Sequence, residues 1–440
     1  MNGLPVPDEG LVARFRAAVG HRLAERTAAA QRAGDQALDR DDQMALARRF
    51  LNEELERYAA ECLAAGRPLP GEDEEEAVAN AVFNRLFELG RLQPLLDDER
   101  ITDIICNGHD QVFLVYADGR KVPGPPVASS TDEFIEMLRE IGRRCGLSER
   151  EFNPTRPSLN VQLPDGSRLF AVAWVCERPC VAIRRHRHMK VTLADLRRLG
   201  AIDAGLEAFL GAAVRSRKQL LVCGATAAGK TTMLRALASE IPPEERIVTI
   251  ETELELGLDR FPELHPDCVA LEIREANVEG AGAVTAADLV RMSLRMNPSR
   301  VLLGEVRGAE IVPLLNALSQ GNDGSMCTVH ADSSATVFNK LALYALQAPE
   351  RLPLEATNML AASAIDLVVW IAKTKHSRFV GSVRHVVAAD GPTVVTNELF
   401  RPGPDGRAVP GDPIPMELLA DLEDAGYDRS LHLRPGGWWA

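Results

Sequence analysis

The 440-residue sequence predicts an α/β protein in which a helical module and an α+β segment precede a mostly parallel sheet flanked by helices. Three observations support this fold class. Apolar residues recur every three or four positions over the first 95 residues, which is typical of amphipathic helices. From Ile101 the pattern changes to short strands separated by turn-rich segments. From Gln219 onward, short apolar strands alternate with helical stretches, as in parallel sheets covered by helices.

The first segment predicts three helices. Their apolar positions are Leu11, Phe15, Val19 and Leu23, then Leu51, Leu55, Tyr58 and Cys62, and finally Val78, Val82, Leu86 and Leu89. Between the second and third helices, residues 66–76 are rich in glycine, proline and acidic side chains, so we expect an exposed acidic loop there. This small helical module is typical of an interaction element rather than of a catalytic domain.

The second segment predicts an α+β arrangement. The runs ITDIIC and QVFLVY predict strands on either side of an NGHD turn. Ser130 and Glu133 form a candidate capping box for a helix that stops at Gly146. The runs LNVQL and RLFAVAWV predict a hairpin, and VAIRR predicts one more strand before the basic run RRHRHMK. Thr192 is a candidate cap for the next helix.

The third segment predicts the mostly parallel sheet. Its apolar strands are LLVC, IVTI, RVLLG and MCTVH, with helical stretches between them. After Lys373 the sequence predicts hairpin-like strands and then a tail rich in proline and glycine.

Charge and hydropathy exclude several classes of protein. The chain has 63 acidic and 50 basic side chains, a net charge of −13, which argues against a nucleic-acid-binding protein. Residues 101–190, with 13 basic and 11 acidic side chains, are the exception. No run approaches the roughly 20 apolar residues needed to span a bilayer. Residues 1–10 lack the basic and apolar regions of a secretory signal, so we expect a cytoplasmic protein without a transmembrane segment.

A phosphate loop is the strongest motif. The chain has seven lysines, and one of them completes the pattern G-x-x-x-x-G-K-[ST] in Gly224, Ala225, Thr226, Ala227, Ala228, Gly229, Lys230 and Thr231. A strand leads into this loop, and a helix that includes Thr232 follows it. We therefore expect backbone N–H groups and a helix N-terminus to bind the phosphates of ATP. Lys230 would bind the β- and γ-phosphates, and the Thr231 hydroxyl would be a ligand of Mg²⁺.

Three strand ends supply candidate partners of this loop. The strand RVLLG leads to Glu305, which in phosphate-loop enzymes would lie beside Mg²⁺ or orient the attacking water. The strand IVTI leads to Glu251, followed by Glu255. These carboxylates would help to hold metal or water, although acidic residues are also common at helix starts. His330 ends the strand MCTVH, where it would sense the γ-phosphate or have a structural role.

Together these residues resemble the type II/type IV secretion ATPase family, within it the motor ATPases of tight-adherence (Flp-type) pili, the CpaF-like group. The resemblance covers roughly residues 86–400. Apart from the phosphate loop it rests on the runs LLDDERITDIICNG, LPDGSRLFAV, VALEIREANVEGAGAVTAADLVRMSLRMNPSRVLLGEVRG and GNDGSMCTVHAD.

The resemblance implies a RecA-like motor domain behind a PAS-like N-terminal domain, with ATP between them, in a hexameric ring. The implied segments are a helical module at 1–95, an α+β PAS-like domain at 96–190, a linker at 191–200, the motor domain at 201–400 and a tail at 401–440. It also implies partners in an inner-membrane platform and peripheral association with that membrane. By this resemblance Glu305 is the Walker B carboxylate and a metal ligand, Glu251 and Glu255 form the acidic box, and His330 belongs to the histidine box. Arg168 and Arg184 would approach the ATP phosphates. Arg274 and Arg307 also match arginines of the family, with less defined roles.

Departures from the family pattern leave two other functions open. Ala225, Ala227 and Ala228 replace glycine or serine in the loop, and an alanine forced to positive φ would cost about 1 kcal/mol or more. Thr252, Asn297, Ser299 and Asn322 are further departures. A non-hydrolysing, nucleotide-gated scaffold is one alternative. The other is a nucleic-acid translocase, which would need a basic, salt-sensitive groove beyond the run RRHRHMK.

Overall fold

The computed structural model describes residues 7–33, 39–116, 118–145, 151–185, 190–274, 276, 281–319, 321–375 and 377–439. The chain divides into two compact units, Met1–Arg187 and His188–Ala440. Among the helices of these described residues, none combines the length and the apolar character that crossing a membrane requires. The finer division into five segments remains a prediction.

The first unit begins with a helical bundle. Its helices are α1 (Glu9–Ala33), α2 (Arg40–Ala64), α3 (Glu72–Phe87) and the short α4 (Gln93–Asp97). Phe15 and Val19 of α1 are buried against Phe50 and Leu51 of α2 and against Val82 of α3. The three helices predicted from apolar spacing are therefore confirmed, although Leu89 lies beyond the end of α3 and is buried in the core of the sheet that follows.

The predicted acidic loop at residues 66–76 is wrong in its second half. Helix α3 begins at Glu72, so the acidic run forms the first turn of a helix rather than a loop. The Glu74 carboxylate accepts a hydrogen bond from the backbone N–H of Gly71 (3.2 Å). Acidic side chains are stabilising at this position because the exposed N–H groups of a helix N-terminus carry partial positive charge.

An antiparallel sheet follows in the same unit. Its strands are β1 (Ile101–Asn107), β2 (Val112–Tyr116), β3 (Lys121–Gly124), β4 (Ser158–Gln162), β5 (Arg168–Val172) and β6 (Cys180–Arg184), in the order β3-β2-β1-β6-β5-β4. Helix α5 (Thr131–Cys145) buries Phe134 and Leu138 in the same core. The Ser130 hydroxyl accepts from the N–H of Glu133 (3.1 Å), which is one half of the predicted capping box, whereas the Glu133 carboxylate accepts from the N–H of Ser129 (2.8 Å). The predicted helix stop at Gly146 and residues 186–189 of the basic run lie outside the described residues.

The second unit contains a nine-stranded sheet. Its strands are β7 (Leu220–Gly224), β8 (Ile247–Glu251), β9 (Cys268–Glu272), β10 (Arg300–Val306), β11 (Met326–Val329), β12 (Leu367–Lys373), β13 (Arg378–Asp390), β14 (Thr393–Pro402) and β15 (Ala408–Pro410). Their order is β15-β14-β13-β12-β7-β11-β10-β8-β9, and all neighbours from β12 to β9 are parallel. The four predicted parallel strands are confirmed, whereas β9 and β12 were missed.

Helices cover this sheet. They are α6 (Leu193–Arg198), α7 (Ala204–Arg215), α8 (Lys230–Ala238), α9 (Ala286–Ser293), α10 (Ile311–Leu318), α11 (Val337–Gln347), α12 (Leu354–Ala364) and α13 (Met416–Asp424). Short 3₁₀ helices occupy Gly90–Leu92, Leu258–Arg260, Leu294–Met296 and Arg429–Leu433. The predicted cap at Thr192 is confirmed, since its hydroxyl accepts from the N–H of Asp195 (3.2 Å).

The segment predicted as a tail contains ordered elements that pack on the sheet. Strand β15 pairs with β14, and α13 buries Leu418 and Leu422. Phe209 of α7 packs edge to face against both Phe400 and Tyr427, at centroid distances of 5.0 and 5.7 Å. These apolar contacts make Leu418, Leu422 and Tyr427 part of the core of the second unit.

Candidate nucleotide site

The phosphate loop joins a fully buried strand to a helix. Strand β7 ends at Gly224, and α8 begins at Lys230, with Gly229 in the left-handed region (φ 99°) as its N-cap. A Cβ atom at Gly224 would lie 2.7 Å from the carbonyl oxygen of Ile371 in β12, so only glycine fits there. The first N–H groups of α8 have no partner within the helix, which makes this end suitable for an anion.

One of the alanines that replace glycine in the loop has a positive φ. Ala227 has φ 57°, whereas its neighbours Ala225 and Thr226 are not among the residues with positive φ. The expected strain is therefore present, at a cost of about 1–2 kcal/mol. Ala225, Thr226 and Ala227 are exposed, and Ala228 is buried. The loop thus has the fold of a phosphate loop despite its alanines.

Lys230 is buried and points to a histidine. Lys230 is 8% exposed. Its Nζ lies 3.0 Å from Nδ1 of His330 and 3.3 Å from the carbonyl oxygen of Ala225. Burial lowers the pKa of Lys230, while the nearby Glu305 carboxylate opposes that effect. The pKa of His330 is also lowered, first by burial and then by the charge of Lys230. A neutral His330 can therefore accept from the ammonium group through Nδ1.

The same histidine contacts the carboxylate at the end of β10. Nε2 of His330 forms a close pair with Oε1 of Glu305, and Nε of Arg307 donates to Oε2 of the same carboxylate (2.6 Å). A neutral imidazole that accepts at Nδ1 carries its proton on Nε2, which places this N–H beside the carboxylate, although Oε1 accepts no hydrogen bond in this arrangement. Lys230, His330, Glu305 and Arg307 consequently form one continuous polar chain.

Strand order explains why these residues meet. Strands β7, β11 and β10 are adjacent and parallel, and the phosphate loop, His330 and Glu305 follow or end these strands on the same edge. The Thr328 hydroxyl donates to the carbonyl oxygen of Gly304 (2.7 Å) and joins β11 to β10 just before both side chains. Positions far apart in sequence are brought together by this parallel arrangement.

Glu251 lies at the end of the next strand, β8. It is buried, and its Oε2 accepts from the backbone N–H groups of Glu255 (2.9 Å) and Leu256 (2.8 Å). Burial raises the pKa of Glu251 to about 8, although the two N–H donors act in the opposite direction. A Cβ atom at Gly304 would lie 3.0 Å from Cγ of Glu251, so this side chain packs against the strand that carries Glu305. Glu255 is half-buried.

The predicted arginines are distributed differently. Arg307 belongs to the polar chain. Arg274 lies just beyond β9, four strands away from β7, and its Nε donates to the carbonyl oxygen of Gly282 (2.7 Å). Four strand spacings separate β9 from β7, about 19 Å, so the structure does not bring Arg274 to the phosphate loop. Arg168 and Arg184 belong to the first unit, where they are direct partners on β5 and β6.

Three residues around the loop were missed by sequence reasoning. Arg235 of α8 is largely buried and donates to the carbonyl oxygens of Leu256 (Nε, 3.0 Å) and Glu255, so it holds the backbone that binds Glu251. Lys373 and Arg378 contact the outer side of the phosphate loop. No motif marks these residues, but Arg235 lies five residues after Lys230 in a helix whose other charged groups are few, which was a weak signal.

The donor atoms near the loop suit a magnesium ion. Thr231 and Glu305 offer hard oxygen ligands, and Thr232 follows on the same helix. Among the described residues there is no cluster of three or more His, Cys, Asp and Glu side chains that could hold a metal by itself. Mg²⁺ is usually bound by one or two protein oxygens together with substrate phosphates and water, so the small donor set fits this ion.

A strand–loop–helix phosphate site whose strand lies between β12 and β11, with an acidic strand end two places away, defines a P-loop nucleoside triphosphatase. Residues 89–381, well over half of the chain, match the family model described as type II/IV secretion system protein. The chain belongs to that family, and it is an ATPase.

Two relatives agree with this membership. A putative conjugal transfer protein of Mycobacterium tuberculosis is 35% identical over 318 residues, which cover 70% of this chain and 87% of that protein. The type IV secretion system protein VirB11 of Brucella suis is 32% identical over 341 residues, 71% of this chain and 91% of that protein. A crystal structure of the VirB11 ATPase of Brucella suis with sulphate covers 67% of this chain and 95% of that chain, at 30% identity and a TM-score of 0.36.

Proposed function

We propose that this chain is a cytoplasmic motor ATPase that assembles into a homo-hexamer and couples ATP hydrolysis to pilus assembly or protein secretion through an inner-membrane platform. The observation that carries the proposal is the polar chain from Lys230 through His330 to Glu305, which joins the phosphate loop to the acidic end of β10. A change in nucleotide state at Lys230 would be transmitted through these polar side chains to the sheet at Glu305.

In this proposal the loop residues Gly224–Gly229 present backbone N–H groups to the phosphates of ATP, and Thr232 supports the first turn of α8. Lys230 leaves His330 and binds the β- and γ-phosphates. The Thr231 hydroxyl and the Glu305 carboxylate hold Mg²⁺, which would neutralise charge on the phosphate oxygens. Glu251 and Glu255 orient the attacking water, and His330 reports the presence of the γ-phosphate by losing its contact with Lys230.

The first unit would contribute arginines to the reaction. Arg168 and Arg184 face each other across neighbouring strands, and Arg184 is exposed. Like charges directly opposite in an antiparallel pair repel each other, and an anion bound to both would relieve this repulsion. The Asp103 partner on the other side of Arg184 moderates the repulsion. Guanidinium groups would stabilise the charge that develops on the transferred phosphoryl group. Arg307 keeps Glu305 oriented, whereas Arg274 would act away from the loop.

The tight-adherence subgroup and the platform partner belong to this proposal as well. Their support is the ordered set of motifs that resembles the motors of Flp-type pili, together with family membership. The bundle of α1, α2 and α3 is the proposed docking or regulatory element, and the protein would associate peripherally with the membrane. Deletion of residues 1–95 should then impair partner binding or hexamer formation, and unchanged behaviour would contradict this part.

The decisive experiment measures phosphate release in each fraction of a size-exclusion separation of the purified chain with Mg²⁺ and ATP. We expect the highest turnover per chain in fractions of hexamer size, and loss of turnover in all fractions with Lys230→Ala. Equal turnover in monomer and hexamer fractions would contradict a ring motor. Bound ATP without phosphate release would favour the scaffold alternative, and turnover stimulated by DNA in a salt-sensitive manner would favour the translocase.

A further inference from the structure

Two cations lie on the outer side of the phosphate loop. Lys373 ends β12 and Arg378 begins β13, and the two residues are partners in the register of these antiparallel strands. Nε of Arg378 donates to the carbonyl oxygen of Ala227 (2.9 Å), and Nζ of Lys373 lies 3.3 Å from the carbonyl oxygen of Thr226. The ends of β12 and β13 therefore donate hydrogen bonds to two successive carbonyl groups of the loop.

The position of these carbonyl groups determines where the loop directs its amides. Both peptide units are trans, and in a trans peptide the C=O and N–H bonds point in opposite directions. When the carbonyl groups of Thr226 and Ala227 are held by the two cations, the N–H group of Ala227 is directed to the other side, whereas the N–H group of Ala228 donates to the carbonyl oxygen of Ala225 (3.2 Å). The amide of Ala227 belongs to the segment that would surround the phosphates, and the bond from Ala228 closes the turn of this segment.

The hydrogen bond from Arg378 is made to the residue of the loop whose backbone is strained. Ala227 has φ 57°, a conformation that glycine adopts freely and alanine adopts at a cost. A glycine at this position would need no external restraint to stay in the left-handed region. With alanine there, the hydrogen bond from Arg378 keeps the peptide unit in place before the nucleotide arrives.

We infer that Arg378 and Lys373 are positioning residues that hold the backbone of the alanine-substituted phosphate loop in the conformation that binds the nucleotide phosphates. The inference rests on the proposed function, since it concerns the same nucleotide site. Neither residue needs to touch the phosphates. They act through the loop backbone, and Arg378 takes over the restraint that the missing glycine makes necessary.

The test compares nucleotide affinities of the full chain, measured by titration with fluorescent ADP and ATP in the presence of Mg²⁺. Arg378→Ala should weaken binding about tenfold, and Arg378→Lys should retain part of the affinity because a single donor remains. Lys375→Ala is the matched control, since Lys375 is an exposed lysine of the same turn and its removal changes the charge equally. We expect its dissociation constants to stay within about twofold of the wild-type values.

A second substitution tests the mechanism of the restraint. Ala227→Gly, introduced together with Arg378→Ala, should restore most of the lost affinity, whereas Ala227→Gly in the otherwise unchanged chain should alter it less than threefold. A purely structural role of Arg378 would lower the melting temperature and would not be rescued at position 227. Equal affinities for Arg378→Ala and Lys375→Ala, or an affinity loss that persists with glycine at 227, would overturn the inference. If the wild-type enzyme hydrolyses ATP, neither of these two results contradicts the proposed function as an ATPase motor.

Discussion

Nζ of Lys230 lies 3.0 Å from Nδ1 of His330, although the two residues are 100 positions apart. The contact occupies the ammonium group that would bind phosphate, and the histidine reaches Glu305 on its other side. Nucleotide binding would therefore have to replace one partner of Lys230 with another. This exchange links the occupancy of the loop to the carboxylate at the end of β10.

Substitution of His330 should separate binding from turnover. His330→Asn removes the bridge between Lys230 and Glu305 but leaves the loop unchanged, so we expect ATP affinity within about threefold of wild type and turnover at least tenfold lower. Phosphate release and nucleotide titration on the same preparation provide the two readings. A variant that loses affinity and turnover in the same proportion would show that His330 only supports the loop.

Glu305→Gln should bind ATP and fail to hydrolyse it. The amide keeps the size of the side chain. It removes the negative charge that would hold Mg²⁺ and that pairs with the Arg307 guanidinium. We expect turnover to fall by about 10² or more, with ATP retained on the protein after gel filtration. Glu310→Gln, which removes a carboxylate from the following turn, is the comparison. Turnover near the wild-type value would exclude Glu305 from the metal site.

Glu251 should make stability depend on pH. Burial raises its pKa from an ordinary value near 4.5 to about 8. Below about pH 4.5 both folded and unfolded chains carry the proton, and the stabilising contribution is complete. Between these values the unfolded chain releases the proton and the folded chain keeps it. The contribution therefore falls with rising pH by about 1.4 kcal/mol per pH unit, until it is lost above about pH 8.

The measurement is denaturant unfolding at a series of pH values from 5 to 8, for the wild type and for Glu251→Gln. The glutamine can still accept from the N–H groups of Glu255 and Leu256, so the difference between the two curves isolates the titration. We expect the wild type to lose stability relative to the variant as pH rises. Parallel curves would mean that Glu251 is ionised throughout.

Arg235 should affect turnover more than nucleotide affinity. Its guanidinium holds the carbonyl groups of Glu255 and Leu256, the segment whose N–H groups bind Glu251. Arg235→Met would leave these two carbonyl groups without their donor. We expect this loss to lower the free energy of unfolding by about 1–3 kcal/mol. We expect kcat to fall tenfold or more with little change in KM, and partial recovery in Arg235→Lys. A change confined to KM would place Arg235 at the nucleotide instead.

Arg184→Gln should reduce turnover without unfolding the first unit. The side chain is exposed on β6, and its proposed partner is the developing charge on the phosphoryl group. We expect at least a tenfold loss of phosphate release, while Arg120→Gln, at an exposed arginine of the same unit paired with Asp118, remains near wild type. Equal activities of the two variants would remove Arg184 from the site. Circular dichroism of both variants controls for folding.

Local patterns were sufficient for much of the fold. The apolar faces of α1 and α2, the cap at Thr192 and the strand into the phosphate loop all follow from neighbouring residues, and the structure confirms them. The acidic run after Gly71 was misassigned because the same residues suit an exposed loop and a helix N-terminus. Strand β12 was missed because a short apolar run without polar–apolar alternation also suits a buried helix.

By itself the sequence determined the class of protein, because the spacing of Gly224, Gly229 and Lys230 is a local property that also dictates the local backbone. Only the tertiary structure decided what surrounds the loop. Strand order places His330 against Lys230, and the β12–β13 turn places Arg378 against Ala227. Such contacts join distant positions and depend on which strands pair when the core closes. Burial and packing of the whole unit select that pairing, and no short stretch of sequence contains it.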